Sequence, residues 1–135
     1  MTAYREPRDF GSYTVLNALQ LRLIECPEDA DARAIARTMA EHGVHCVIVR
    51  GTEPDDWSIV SDLDLMAALR PELAQVTAGQ LAAADSLVVD PMDSLEHAAQ
   101  LMSEHQTTHA VVVDPVTNRP IGILSTLDVA RFLAG

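Results

Sequence analysis

The chain has 135 residues, of which 48% are hydrophobic and 21% are charged, and its formal net charge is −11. This length and composition predict a folded domain with a sizeable core and exclude an intrinsically disordered chain. The positive charge comes from nine arginines and no lysine. Because these arginines are not clustered, neither duplex nucleic acid nor an anionic membrane surface is expected as a partner.

Targeting and redox signals are also weak. No apolar run approaches the roughly 18 residues that span a bilayer. The first residues, MTAYREPRDFGSY, lack the apolar stretch of a signal peptide, so we expect a cytoplasmic protein. Cys26 and Cys46 show no CxxC or other metal-binding spacing, which indicates two reduced thiols in or near the core.

The first predicted elements lie in residues 21–43. The segment LRLIEC is a candidate strand. The following ECPEDADARAIARTMAEHG places Ile35 and Met39 one turn apart, which predicts a helix with one apolar face. Asp29 or Asp31 is suited to cap its first turn, and Gly43 is suited to the left-handed conformation that ends a helix.

Two further strands and a helix complete the first half. HCVIV (45–49) is a continuous apolar run of the kind that is buried on both faces of a sheet. The turn-forming residues GTEPDD connect it to WSIVS (57–61), which predicts a β-hairpin. A closing helix follows and ends before Pro71.

The second half has the same order of strand, helix, strand, strand, helix. SLVVDP (86–91) is its leading strand, and Ser94 is the predicted cap of the helix LEHAAQLMSEH (95–105), whose apolar residues recur at helical spacing. HAVVV (109–113) and IGILS (121–125) predict a hairpin around DPVTNRP. A closing helix occupies the last residues.

The two halves are an internal repeat. Residues 45–69 align without a gap on residues 109–133, an offset of 64, and eight of these 25 positions are identical. We therefore divide the chain into an N-terminal segment (1–14), a first repeat (15–71) and a second repeat (72–135). One copy alone would expose a large apolar sheet face, so the copies are expected to cover each other and to leave a cleft where they meet.

The closing part of each copy carries a motif of fixed spacing. In the second copy Gly122 is followed by two apolar residues, Ser125, two further residues and Asp128. The first copy has Ser61 and Asp64 at the same spacing, with a serine in place of the glycine. Together with the alanine-rich helices and the HCVIV and HAVVV strands, this motif resembles a tandem pair of cystathionine-β-synthase (CBS) domains, often called a Bateman module, over about residues 15 to 135.

The resemblance implies an α/β fold of two β-α-β-β-α repeats related by a pseudo-two-fold axis, with two such chains dimerising into a disc. It implies a regulatory protein that is not an enzyme and requires no cofactor or metal. Members of the family commonly bind AMP, ADP, ATP or S-adenosylmethionine between the copies and adjust an enzyme, channel or transporter. Since the chain carries no such attached domain, the expected partner is an unidentified separate protein.

Two interpretations of the Ser-x-x-Asp spacing stay open. A carboxylate can accept hydrogen bonds from both hydroxyls of a ribose, and a hydroxyl at a strand-to-helix turn faces an incoming phosphate. The resemblance accordingly assigns Asp64 and Asp128 to ribose, and Ser61 and Ser125 to the α-phosphate, and Gly122 makes the second copy the better candidate. The same spacing is also a capping box, which stabilises a helix start without any ligand.

Positive charge near the motif is sparse. Family members that hold charged nucleotides usually place Lys or Arg just before the aspartate, where this chain has Leu63 and Leu127. Arg131, one turn after the second aspartate, and Arg119, in the preceding hairpin, are the candidate phosphate ligands, and Arg70 is a less direct candidate. Because the net charge is −11, we favour AMP, adenosine or S-adenosylmethionine over ATP, unless Mg²⁺ shields the triphosphate.

The remaining candidates point to structural roles. The five histidines show no HxH, HExxH or Cys/His spacing, so His45 and His109 are expected at the starts of equivalent strands and not in a metal site. No serine lies in a G-x-S-x-G elbow and Cys46 lies in a buried strand, so no catalytic nucleophile is predicted. Trp57 either covers the core, lies in a dimer contact or blocks a pocket.

Three functions are compatible with the sequence. The first is a homodimeric regulator that senses an adenosyl ligand. The second is a dimerisation or docking scaffold without a small molecule, whose contact surface would include Leu65, Leu69, Val129 and Leu133 on the closing helices. The third is a small hydrolase or metal protein with dispersed functional residues.

Overall fold

The structure is a computed structural model that describes residues 12–19, 22–68, 75–82 and 86–135. Its chain forms two compact units. The first-repeat unit consists of the described part of Leu23–Ser86 together with Thr117–Arg119. The second-repeat unit consists of the described residues up to Arg22 together with Leu87–Val116 and Pro120–Gly135. Arg70, Leu69 and most of the segment 1–14 lie outside the described residues.

Both units have the mixed α/β architecture that the sequence predicts. The elements in chain order are α1 (Val15–Ala18), β1 (Glu25–Pro27), α2 (Ala32–His42), β2 (Cys46–Arg50), β3 (Trp57–Ser61), α3 (Asp62–Ala67), α4 (Ala78–Leu81), β4 (Val88–Val89), α5 (Leu95–Glu104), β5 (His109–Val113), β6 (Pro120–Ser125) and α6 (Thr126–Ala134). The sheet orders are β1-β2-β3 and β4-β5-β6. In each sheet the first pair of strands is parallel and the second pair is an antiparallel hairpin. The predicted order of elements is therefore confirmed in both halves.

Local sequence signals explain where the long helices begin and end. Asp31 caps α2, since its Oδ1 accepts a hydrogen bond from the backbone N–H of Ala34 at 2.8 Å. Ser94 caps α5 in the same way, with its hydroxyl oxygen 3.0 Å from the backbone nitrogen of His97. Gly43 ends α2 with a φ of 62°, a left-handed conformation that glycine adopts without a steric penalty.

Each unit has its own hydrophobic core. The buried core residues of the first-repeat unit are Cys26, Ala32, Ile35, Met39, Val47, Val49, Val60, Leu65 and Ala78. Those of the second-repeat unit are Val15, Val89, Leu95, Ala98, Met102, Ala110, Val112 and Leu124. The core residues of α2 and α5 recur at i, i+3 and i+7, so each helix packs one apolar stripe into its core.

The short helices α1 and α4 are exchanged between the repeats. In the second-repeat unit, the backbone nitrogens of Val15 and Leu16 donate to the carbonyls of Asp93 and Pro91 at 2.9 and 3.0 Å. In the first-repeat unit, α4 makes the equivalent bonds to the residues just before α2, from Ala78 and Gly79 to the carbonyls of Ala30 and Glu28 at 2.7 and 2.9 Å. The boundaries 15–71 and 72–135 thus describe the repeated sequence, whereas each compact unit contains a helix from the other repeat.

The structure corrects the gapless alignment of the repeats. The backbone N–H of Asp62, which begins α3, donates to the carbonyl of His45 at 2.8 Å. The N–H of Thr126, which begins α6, donates to the carbonyl of Thr108 at 2.9 Å. His45 is therefore equivalent to Thr108, an offset of 63, while the closing helices keep the offset of 64 from Asp62 to Thr126. The strands β2 and β5 are equivalent, but His109 begins β5 whereas His45 lies just before β2, so the prediction of equivalent positions for the two histidines is wrong.

A β-bulge in the second hairpin accounts for the extra residue. Val112 pairs with Gly122 and Val113 pairs with Pro120, which leaves Ile121 without a partner in the ladder. The first hairpin pairs residue by residue from Cys46 to Arg50. Since successive side chains of a strand point to opposite faces, a shift of one residue decides which face enters the core.

Candidate functional site

Each closing helix starts with a capping box formed by the Ser-x-x-Asp motif. In the second copy, the backbone N–H of Ser125 donates to Oδ2 of Asp128 at 2.9 Å, and the backbone N–H of Asp128 donates to the serine hydroxyl oxygen at 3.1 Å. Ser61 and Asp64 make the same two bonds at 2.8 and 3.2 Å. The capping interpretation is therefore confirmed in both copies, and a ligand that used these residues would bind to side chains that already cap a helix.

The carboxylate of Asp128 has its two oxygens in different environments. The residue as a whole is only 8% exposed, and its Oδ2 is held by the backbone of Ser125. Its Oδ1 accepts no hydrogen bond from the residues that the structure describes. Among those residues every buried side-chain oxygen has a partner, so Oδ1 reaches the surface. The carboxylate is thus held in place through one oxygen and presents the other to solvent.

The turn of the first copy carries more negative charge than that of the second. Asp62 is the first residue of α3, and its Oδ2 lies 2.9 Å from Nδ1 of His45. The equivalent residue in the second copy is Thr126, which carries no charge. The first turn therefore holds two carboxylates, Asp62 and Asp64, and repels an anionic ligand more strongly than the second turn does.

Gly122 has a packing role that its sequence motif does not reveal. A Cβ atom at this position would lie 2.9 Å from Cδ1 of Leu19, which is the residue that ends α1. The absence of a side chain therefore makes room for Leu19 in the second-repeat unit. Leu19 precedes the first repeated strand, so nothing in the motif itself points to this contact.

The predicted site residues fall into two groups. Ser125, Asp128, Gly122 and Arg131 lie in the second-repeat unit, whereas Arg119 lies with Ser61 and Asp64 in the first-repeat unit. Arg119 and Arg131 are exposed. Neither forms an ion pair with any residue that the structure describes. Both guanidinium groups are therefore available to a phosphate.

Trp57 forms a hydrogen bond with a turn from the second repeat. Its indole Nε1 donates to the carbonyl oxygen of Asn118 at 2.9 Å. Asn118 has a φ of 58°, and it belongs to the segment Thr117–Arg119 that is part of the first-repeat unit. Since Trp57 is half-buried, it combines partial burial of its ring with a specific hydrogen bond.

The second-repeat unit contains a cavity that does not suit a phosphate. It has a volume of about 260 Å³ and lies between α5 and α6. Its lining is Ala99, Met102, Ser103, Gln106, Thr107, Thr126 and Val129. These side chains are apolar or uncharged, and neither Asp128 nor an arginine contributes to them. We therefore place the candidate site at the Ser125–Asp128 turn and not in this cavity.

The described residues contain neither a candidate metal centre nor a candidate membrane span. No three His, Cys, Asp or Glu side chains come close enough there to hold a metal ion. The described helices include none with the length and apolar character needed to cross a bilayer.

Burial makes both cysteines poor nucleophiles. Burial raises the pKa of the Cys46 thiol from 9.0 to about 12, and the charges of Asp62 and Asp64 contribute to the rise. Burial also raises the pKa of Cys26. The thiolate is the reactive form of cysteine, so neither residue resembles a catalytic or redox-sensing thiol.

We expect the folded protein to resist alkylation at pH 8. With a pKa of about 12, roughly one Cys46 thiol in ten thousand is ionised at that pH. Mass spectrometry after iodoacetamide treatment should show little modification in buffer and two modified thiols in concentrated urea. Because the unfolded thiol ionises near 9.0 and the folded one near 12, the free energy of unfolding should also fall as pH rises between these values. Rapid labelling of Cys46 in the native protein would contradict this view.

Comparison with known proteins agrees with this fold. A family model for the CBS domain matches residues 78–135. Hypoxic response protein 1 of Mycobacterium tuberculosis is 30% identical over 105 residues, which cover 74% of this chain and 71% of the relative. A crystal structure of Hypoxic Response Protein I with two coordinated zinc ions has a TM-score of 0.69 and 27% identity, and the match covers 87% of this chain and 97% of that one.

Two other solved structures give similar matches. CBSX2 in complex with AMP has a TM-score of 0.77 and 27% identity, with 90% of this chain and 96% of that chain covered. A hexameric CBS-CP12 protein from bloom-forming cyanobacteria has a TM-score of 0.77 and 20% identity, with 87% of this chain covered, and this chain spans 66% of its length. Given the family match, the 30% identity to the mycobacterial relative and the two β-α-β-β-α units, this chain belongs to the CBS-domain family as a tandem CBS pair.

Proposed function

We propose that this CBS pair binds an adenosyl ligand of low negative charge at the Ser125–Asp128 turn and regulates a separate protein according to occupancy. The observation that carries the proposal is the carboxylate of Asp128, which is fixed through Oδ2 and accessible through Oδ1. A free oxygen on a carboxylate already held in one rotamer can accept hydrogen bonds from a ribose with little further loss of side-chain entropy.

A single phosphate fits the surroundings of this turn better than a triphosphate. The hydroxyl of Thr126 and the guanidinium of Arg131 are both exposed on α6, and the helix start favours negative charge. Between them lies Leu127, which is 53% exposed and contributes no charge. Each added phosphate also has to approach a chain of net charge −11. We therefore expect AMP, adenosine or S-adenosylmethionine to bind more tightly than ADP or ATP.

The second copy is the preferred site in this proposal. Asp62 and Asp64 place two carboxylates at the turn of the first copy, where Thr126 leaves only Asp128 in the second. The related protein CBSX2 was crystallised with AMP, which supports an adenosine nucleotide as the ligand class. Zinc, which is coordinated in the solved Hypoxic Response Protein I structure, is not part of the proposal because the described residues bring no three candidate ligands together.

Calorimetric titration of the full chain with adenosine, AMP, ADP, ATP and S-adenosylmethionine tests this function. We expect saturable binding with an affinity that falls from AMP to ADP to ATP in the absence of Mg²⁺. Raising the salt concentration should reduce the difference between AMP and ATP, since the unfavourable term is electrostatic. No heat and no rise in melting temperature with any of these compounds would refute the proposal.

Exposed apolar side chains favour a second candidate function, a dimerisation or docking scaffold without a ligand. The prediction that Leu65 lies on a contact surface is wrong, because this residue is buried in the core of the first-repeat unit, and Val129 is half-buried against the core of the second. The apolar side chains that are more than half exposed on the closing helices are Leu63 and Met66 on α3 and Leu127 and Leu133 on α6. Their burial in a two-fold homodimer would remove this apolar surface from water. We propose that the chain is a cytoplasmic homodimer under either function. Sedimentation analysis showing a dimer, together with no binding in the titration, would favour the scaffold.

A further inference from the structure

Helix α6 connects the candidate site to the N-terminal part of the second-repeat unit. Asp128 and Phe132 are one helical turn apart, at i and i+4, and so lie on the same side of the helix. The ring of Phe132 meets that of Tyr13 edge to face, with centroids 4.9 Å apart and an interplanar angle of 71°. A movement of α6 that repositions Asp128 therefore also displaces the partner of Tyr13.

Tyr13 begins a segment that is held in the second-repeat unit by several backbone hydrogen bonds. We call residues 13–19 the α1 strap. The carbonyl of Tyr13 accepts a hydrogen bond from the backbone N–H of Leu95 at 2.8 Å. Val15 and Leu16 donate to Asp93 and Pro91, in the turn that leads into α5. The helix in the strap has only four residues, so its hydrogen bonds depend on this docking more than on helix propensity.

The other end of the strap contacts the strand that leads into the candidate site. Leu19 packs against Gly122 of β6, three residues before Ser125. The strap therefore touches β6 on one side of the Ser125–Asp128 turn and α6 on the other side, through Leu19 and Tyr13 respectively.

The first-repeat unit lacks the aromatic half of this arrangement. The carbonyl of Val76 accepts from the backbone N–H of Ala32 at 2.9 Å, as that of Tyr13 does from Leu95. By the offset of the closing helices, Phe132 corresponds to Ala68. A valine and an alanine cannot form an edge-to-face pair, so the two units offer a matched comparison within one chain.

We propose that the α1 strap is the output element of the Ser125–Asp128 site, coupled to it through the Tyr13–Phe132 pair and the Leu19–Gly122 contact. The biological meaning of this coupling rests on the proposed function, but the coupling itself does not require a ligand. A ligand that restrains the first turn of α6 and the end of β6 stabilises the docked strap, and by linkage the docked strap stabilises the bound state. A regulated partner would then read the docking of residues 13–19.

Amide hydrogen exchange on the full chain without ligand tests the coupling directly. In the variant Tyr13→Ala, the amides of Ser125 and Asp128 should exchange at least about threefold faster relative to the core amide of Val111, because local opening costs less free energy. Tyr13→Leu, which keeps an apolar side chain, should show a smaller effect in the same direction. Tyr13→Leu is the control for the case in which the alanine variant unfolds as a whole. The matched variant Val76→Ala should leave both amides unchanged.

The second arm uses AMP as the probe. Saturating AMP should slow exchange of the Val15 and Leu16 amides in the wild-type chain, and Phe132→Leu should weaken that protection while AMP still binds. Failure of AMP to bind would count against the proposed function, and the ligand-free arm would still decide the coupling. Unchanged Ser125 and Asp128 exchange in Tyr13→Ala, or AMP binding without any protection of the strap, would overturn the inference.

Discussion

A charge at Val15 is expected to destabilise the second-repeat unit severely, although this residue belongs to the first repeat. Val15 is fully buried, at 0% exposure, among the core residues of that unit. Val15→Asp places a carboxylate there without a partner, which should lower the free energy of unfolding by about 4 kcal/mol or more. Urea denaturation followed by circular dichroism measures the loss. Since whole domains are stable by only about 5–15 kcal/mol, this loss is a large part of the total stability, and the urea midpoint should fall sharply.

The neighbouring residue gives a matched control for this experiment. Leu16 is 43% exposed in the same helix, so Leu16→Asp keeps its charge in water and should change stability by no more than about 0.5 kcal/mol. Similar effects of the two variants would argue that α1 does not dock on the second-repeat unit. A severe effect of Val15→Asp alone supports the docking of α1 on the second-repeat unit.

Strong local patterns made much of the fold predictable. The helix caps at Asp31 and Ser94 and the stop at Gly43 are decided by side chains within one turn of the helix end. The apolar runs HCVIV and HAVVV predicted buried strands, and β2 and β5 are indeed almost completely buried. These features depend on residues close in sequence, which is why a single sequence specifies them.

The alignment of the repeats could not be decided in the same way. In strands made of Val, Ile and Ala, a shift of one residue replaces one apolar residue by another. Two alignments that differ by this shift therefore match almost equally well. Only the pairing of Val112 with Gly122 and of Val113 with Pro120 shows where the extra residue lies. The docking of α1 on the turn before α5 is a contact between residues far apart in the chain, and no local pattern encodes it.

The candidate site was predictable as a pair of motifs but not in its chemistry. Ser-x-x-Asp at a helix start satisfies a capping box and a ribose site with the same residues. The sequence could not say that Oδ2 of Asp128 caps α6 while Oδ1 stays accessible. Likewise, the role of Gly122 against Leu19 depends on a residue more than 100 positions away in the chain.

Asp128→Asn is expected to separate the two roles of this residue. The asparagine keeps an amide oxygen that can accept the hydrogen bond from the backbone N–H of Ser125, so the free energy of unfolding should change by less than about 1 kcal/mol. The variant loses the negative charge that would bind a ribose. Charge-assisted hydrogen bonds contribute about 1.5–3 kcal/mol, so the dissociation constant for AMP should rise by about 10- to 100-fold in a calorimetric titration.

Two further variants serve as controls for Asp128→Asn. Asp128→Ala removes both roles, so it should weaken AMP binding as much as Asp128→Asn and also destabilise α6 by about 1 kcal/mol through the lost cap. Asp64→Asn makes the equivalent change in the first copy, where Asp62 already disfavours an anion, and should leave AMP affinity within about twofold. If Asp128→Asn bound AMP as tightly as the wild-type chain, the carboxylate would serve only the helix start. A comparable loss of affinity in Asp64→Asn would instead indicate that AMP binds at each turn, since each copy presents the same capping box.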